Sequence, residues 1–163
     1  MIIIINGSIN SGKTTVSKLL AKKLLNTAHI EVDKLREFVD FMPLDQKVIE
    51  MNLRNTASIA KTFLYHGLNV IISYPLSKSN YNFLIDKLGL ANEKILAFTL
   101  NPELDTVASK RGSRELSEWE KERIKHHYES GINKPQYGSI VIDNTNQTPE
   151  ETVAEIMKHI SRA

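Results

Sequence analysis

Glycine, lysine and a hydroxyl side chain, the groups that handle polyphosphate, stand at fixed spacing near the start of the chain. They are Gly7, Gly12, Lys13 and Thr14 within GSINSGKT. The pattern is G-x-x-x-x-G-K-[ST], preceded by the apolar run MIIIIN and followed by TVSKLLAKKLL, so it reads as a strand, a tight loop and a helix. Two glycines let the backbone wrap closely around phosphate oxygens while successive N–H groups and the new helix's positive end face the anion. Gly7, Asn10, Ser11, Gly12, Lys13, Thr14 and Thr15 are therefore the residues expected to hold a nucleotide's phosphates. Lys13 can reach the β- and γ-phosphates, and the Thr14 hydroxyl can ligate the Mg²⁺ that bridges them.

A second set of residues suits the other half of a transfer reaction. Asp33 and Arg36 form D-x-x-R directly after the run HIEV. A carboxylate there can take a hydroxyl proton or hold a metal-bound water, and an arginine one turn later can hold an anionic or hydroxyl-rich acceptor. Arg54 and Tyr74 join Arg36 as acceptor-side candidates, with Glu37, Asp40 and Asn52 nearby. Arg111 and Arg114, in RGSRELSE, would serve as lid arginines that stabilise the transferring group and exclude water. Ser73 ends a strand where an acidic metal partner is common in this kind of loop protein. Either its hydroxyl contacts a metal-bound water or Asp33 takes the metal role. Asn144, in the turn Asp143–Asn144–Thr145, is a candidate for the adenine pocket. His126 and His127 have no cysteine or further histidine cluster near them, so a packing or surface role outweighs metal binding.

These residues need a scaffold that brings distant strand ends together. Apolar runs at His29–Val32, Asn69–Ser73, Lys94–Leu100 and Ser139–Ile142 alternate with helical periodicity after the loop to about Leu25, over 34–66 with a break near Pro43, and over 78–88. A further helix is expected to start at Asn101–Pro102, and capping boxes mark starts at Ser117/Glu120 and Thr148/Glu151. Strands alternating with helices predict an α/β fold, a parallel sheet covered on both faces, whose ligands collect at the carboxyl ends of the strands. The length of 163 residues fits one domain over 1–163. A net charge of +2 argues against a broad basic surface for nucleic acid but leaves room for a local anion channel. Cysteine is absent, which removes disulfides and thiolate chemistry. The opening apolar run is too short for a signal peptide or a membrane span, so a cytoplasmic protein is expected.

With GSINSGKTT, VDKLR, the R-x-x-R of the lid and the tail KHHYESGINKPQYGSIVIDNTNQTPEETVAEI in view, the chain resembles small P-loop kinases. The group includes chloramphenicol phosphotransferase-like, shikimate and gluconate kinases. The resemblance implies a three-layer fold with a five-stranded parallel sheet in the order 2-3-1-4-5, a lid over about 111–118 and an acceptor-binding helical region over about 34–60. It also implies ATP with Mg²⁺ and transfer of the γ-phosphoryl group to a small-molecule acceptor. Lys13, Asp33, Arg111 and Arg114 carry over as catalytic, Thr14 and Asp33 as metal-binding. Tyr74-Pro75-Leu76-Ser77 lacks the arginine that nucleoside monophosphate kinases use to grip a nucleotide, which favours a hydroxyl-bearing small molecule. A polynucleotide 5′-hydroxyl or nucleotide kinase, and a non-enzymatic nucleotide switch, are the competing readings. Monomer and homodimer are both compatible with the sequence.

Overall fold

The first strand dictates the layering. Ile2, Ile3, Ile4 and Ile5 are all fully buried in β1 (Ile2–Gly7), and successive side chains of a strand point to opposite faces. Ile2 and Ile4 join one apolar cluster with Leu53, Val70, Ile72 and Leu84. Ile3 and Ile5 join another with Val16, Leu20, Phe98 and Ile156. A strand buried on both faces in this way needs a helical layer above and below. The computed structural model describes residues 1–39, 43, 45–90, 93–109, 115–134 and 137–162.

The chain continues through α1 (Lys13–Lys23), β2 (Thr27–Glu31) and the short α2 (Val32–Leu35), which runs into a 3₁₀ turn at Arg36–Phe38. Then come α3 (Gln46–Tyr65), β3 (Asn69–Ser73), α4 (Lys78–Leu88), β4 (Ile95–Leu100), α5 (Leu104–Ala108), α6 (Glu118–Glu129), β5 (Ile140–Ile142) and α7 (Pro149–Arg162). The strands form one sheet in the order β2-β3-β1-β4-β5, parallel at every pairing, as expected. Helices α3 and α4 pack together over one face of the sheet, and α1 and α7 over the other. The register aligns the strand ends: Ile5 and Glu31 both pair with Ser73, while Leu100 pairs with Gly7 and Ile142.

Both capping boxes form. Glu120 N donates to the Ser117 hydroxyl (3.3 Å) while Ser117 N donates to the Glu120 carboxylate (3.0 Å). Thr148 and Glu151 do the same at the head of α7, with Glu151 N donating at 3.2 Å and Thr148 N at 2.8 Å. Elsewhere the element boundaries differ from the sequence expectation. The second strand covers Thr27–Glu31 rather than His29–Val32, because Asn26 turns the chain with φ 51° and Val32 already opens a helix. The helical stretch expected over 34–66 with a break near Pro43 does form two pieces, but the first already opens at Val32 and the second begins at Gln46 because the Asp45 side chain caps it, accepting from Val48 N at 2.9 Å. Asn101–Pro102 does not start α5. The Asn101 side chain accepts from Asn133 Nδ2 (2.9 Å), so it is spent on a contact 32 residues away, and the helix begins at Leu104.

Candidate active site

Gly7 leaves β1 with φ 147°, and a Cβ placed there would lie 2.7 Å from the Leu100 carbonyl oxygen and 2.6 Å from the Ser11 hydroxyl. Only glycine fits. Gly12 caps α1 in a left-handed conformation (φ 94°), and the first turn of α1 carries no acidic residue, so the helix's positive end stays open to an anion. Lys13 Nζ donates to the Ser8 carbonyl (2.6 Å), lying across the loop it is meant to serve. Asn10 adopts φ 62°, and its side-chain amide donates to the carbonyls of Val107 (2.8 Å) and Ser109 (3.1 Å), tying the loop to the end of α5. Asn144 Nδ2 donates to the Ser11 carbonyl (3.0 Å), so this residue braces the loop from beneath.

Two carboxylates face the loop. The Thr14 hydroxyl donates to Glu31 Oε1 at 2.8 Å. Glu31 ends β2, and Asp33 sits two residues later in the first turn of α2. Asp33 opens onto the same cavity as Lys13 and Thr14. Loss of water around it raises its pKa above the usual carboxylate value, with Glu31 adding to the rise and the Lys13 and Arg36 cations opposing it. Burial also raises the Tyr74 hydroxyl, to about 12, with the Asp33 charge contributing. Tyr74 therefore stays protonated beside Asp33. The Ser73 hydroxyl, for its part, is bonded to His29 Nε2 across the β2–β3 ladder (2.8 Å), and burial lowers the His29 pKa.

Helix α6 supplies the facing wall. His127 is 2% exposed, and its Nδ1 lies 3.2 Å from the Ser8 hydroxyl. Burial, with the nearby Arg123 and Lys13 charges and His126, lowers its pKa to about 3, so the imidazole is neutral. Arg123, one turn earlier on the same face, is half-buried, lines the cavity, and lies close enough to Tyr74 to stabilise its phenolate form. The cavity holds about 1030 Å³ and runs from the phosphate loop to Arg36, Ser77 and Asn80. That is the top of the usual range for a single small ligand, and room for a donor beside an acceptor.

Most expected site residues meet here. Asn10, Gly12, Lys13, Thr14, Thr15, Asp33, Arg36, Tyr74 and Asn144 all line the cavity. Arg54 does not. It lies on the side of α3 that faces α4, with its guanidinium 5.1 Å from the centre of the Phe83 ring. Asn52 is buried on the inner side of α3. Arg111, Arg114 and Asp40 lie outside the described residues. Glu31 and Arg123 were not expected. Ending the second strand at Val32 placed Glu31 inside it, whereas its position at the true strand end, opposite Ser73, is the signal that identifies it. Arg123 had a signal of its own in the sequence, since it lies four residues from His127 and shares its face.

No family model matches the chain. It is similar to a shikimate kinase of Sulfurihydrogenibium sp., 29% identical over 96% of this chain and 95% of the relative. Among solved structures it is similar to a sugar kinase from Janibacter sp. (TM-score 0.74, 17% identity, 98% of this chain and 94% of the other). It is similar also to a gluconokinase from Sinorhizobium meliloti (TM-score 0.70, 18% identity, 98% and 91%). The fold is that of the small P-loop kinases, and the likeness to the shikimate kinase supports a phosphotransferase of that type. Among the described residues, no helix is long and apolar enough to cross a membrane.

Proposed function

We propose that the chain is an ATP- and Mg²⁺-dependent kinase that transfers the γ-phosphoryl group to a hydroxyl of a small-molecule acceptor. The observation that carries this reading is the pairing of two carboxylates with separate surroundings. Glu31 is hydrogen-bonded to the phosphate-loop hydroxyl of Thr14, while Asp33 opens onto the cavity with a raised pKa. Carboxylates kept apart in this way divide the work between them. Likeness to a shikimate kinase and a gluconokinase supports an alcohol as the acceptor group.

The Thr14 hydroxyl and the Glu31 carboxylate are hard oxygen donors of the kind Mg²⁺ takes together with phosphate oxygens and water. Bound there, Mg²⁺ would offset the charge of the triphosphate. Lys13 leaves the Ser8 carbonyl and turns its ammonium to the β- and γ-phosphates. Asp33 accepts the acceptor's hydroxyl proton while the acceptor oxygen forms its bond to the γ-phosphorus. The bond from that phosphorus to the β–γ bridging oxygen breaks, and ADP carries away the electron pair. Arg36, whose charge acts on Asp33, and Arg123, whose charge acts on Tyr74, line the same cavity and can hold the acceptor and the transferring group.

A screen of alcohols, sugars, nucleosides and antibiotics for acceptor-stimulated ADP release tests the reading. With the acceptor in hand, Asp33→Asn should lower turnover by about a hundredfold or more, the range for loss of a general base, while ATP affinity changes little. Undiminished turnover in that variant would remove Asp33 from the reaction. Hydrolysis that no acceptor stimulates would point instead to a nucleotide switch.

A further inference from the structure

Helix α6 measures distance from the phosphate loop. His127 is fixed at Ser8, and Arg123, one turn back, lies near Tyr74 at the end of β3. Trp119 comes one further turn back on the same face, about 6 Å farther along the axis. It lines the same cavity, yet 57% of it is exposed. An indole that lines a cavity together with the phosphate loop has a face it can offer to a ligand there. The two turns from His127 back to Trp119 pass Arg123, the residue that lies near Tyr74. Ile49, Tyr74, Pro75, Ser77 and Asn80 line the same cavity. Gln46 Nε2, at the head of α3, donates to Asn80 Oδ1 at 3.3 Å and joins the two helix ends into one wall.

Resting on the kinase reading above, we infer that Trp119 is a specificity-determining residue whose indole covers one face of a saturated, ring-shaped, hydroxyl-bearing acceptor. A closed ring with hydroxyls on its rim presents C–H groups on its faces. Those hydrogens carry partial positive charge, and the face of an aromatic ring is negative. The rim hydroxyls then fall to Asp33, Ser77, Asn80 and Gln46, while Ile49 and Pro75 meet the opposite face. An open-chain polyol has no continuous face to offer and loses more rotational freedom on binding. A nucleobase is flat but places few hydroxyls at its edge.

The chain holds a single tryptophan, so its emission reports on this position alone. ADP release from MgATP is measured with myo-inositol and glucose as saturated ring polyols, gluconate and sorbitol as open chains, and thymidine as a nucleoside. A ring polyol should give the highest kcat/KM and should quench the Trp119 emission, whereas MgADP should not. Trp119→Ala should raise the ring acceptor's KM about tenfold, the scale of one good aromatic contact, with little change in KM for ATP, and Trp119→Phe should recover most of the loss. Preference for gluconate, sorbitol or thymidine, or an unchanged acceptor KM in Trp119→Ala, overturns the inference and leaves the kinase reading standing. Absence of stimulated ADP release with all of the compounds sinks both.

Discussion

The Thr14–Glu31 hydrogen bond puts a formal negative charge against the phosphate loop, where a divalent cation would gain most from it. Glu31→Gln keeps the shape and can still accept from Thr14 but loses the charge. It should raise the Mg²⁺ concentration needed for half-maximal activity by about tenfold or more, in line with lost metal-site partners. Activity measured against Mg²⁺ at fixed ATP checks this, and an unchanged Mg²⁺ requirement would assign the metal elsewhere. Asp33 has the opposite surroundings. Its pKa is raised, so its proton is held to a higher pH than an ordinary carboxylate would hold it. Activity should therefore fall on the acid side through a limb lying above the usual aspartate range. A raised folded-state pKa contributes stability that is present below the unfolded value and is lost as pH rises through the folded one. At pH 7 to 8 the ionised Asp33 thus destabilises the fold, and Asp33→Asn should melt slightly higher than the parent while transferring far less. His127, at about 3, adds no limb in that window. The role of Lys13 was legible from its motif, because the loop's backbone demands the spacing. That of Glu31 was not, since a strand end one residue out of place buries the wrong side chain.

At the scale of elements, asparagines do the fastening. Asn6, fully buried at the end of β1, donates to Thr99 Oγ1 (3.1 Å) and the Ile132 carbonyl (2.8 Å), and accepts from Leu76 N (2.7 Å). One side chain thus holds β4, the loop after α6 and the loop after β3 to the strand that feeds the phosphate loop. Asn6→Ala strands a buried amide and a carbonyl and should cost about 2–6 kcal/mol, at 1–3 kcal/mol for each unsatisfied group. Chemical denaturation measures it, and a loss below about 0.5 kcal/mol would mean that water replaces the bonds. Ser117→Ala, which removes only a cap, should cost about 1 kcal/mol. The contrast explains what the sequence disclosed. Capping boxes and the isoleucine run act within a few residues and were legible. The Asn6, Asn101, Asn133 and Asn144 contacts link residues 32 to 133 positions apart, and an asparagine reads the same whether it caps a helix or ties two loops.

Across the whole molecule, stability and chemistry occupy different places. The apolar clusters lie between sheet and helices, while the polar side chains of the site stand at the carboxyl ends of the strands. Removing a site side chain should therefore leave the fold intact and change what the fold gains from ligand. A nucleotide that binds only the folded chain stabilises it by about 2.7 kcal/mol at a hundred times its Kd. For a chain of this size that is a rise of about 5–11 °C in Tm. The parent should show this rise with MgADP or a non-hydrolysable MgATP analogue. Asp33→Asn should show all of it, because Asp33 serves the acceptor, whereas Lys13→Ala should lose most of it, because Lys13 serves the phosphates. Gly7→Ala should melt lower even without nucleotide, since its Cβ would meet the Leu100 carbonyl oxygen at 2.7 Å. Thermal denaturation of the parent and three variants, with and without nucleotide, separates the two halves of the site. If Asp33→Asn lost the nucleotide-induced rise while folding normally, Asp33 would belong to the donor half, and the hydroxyl proton would need another base.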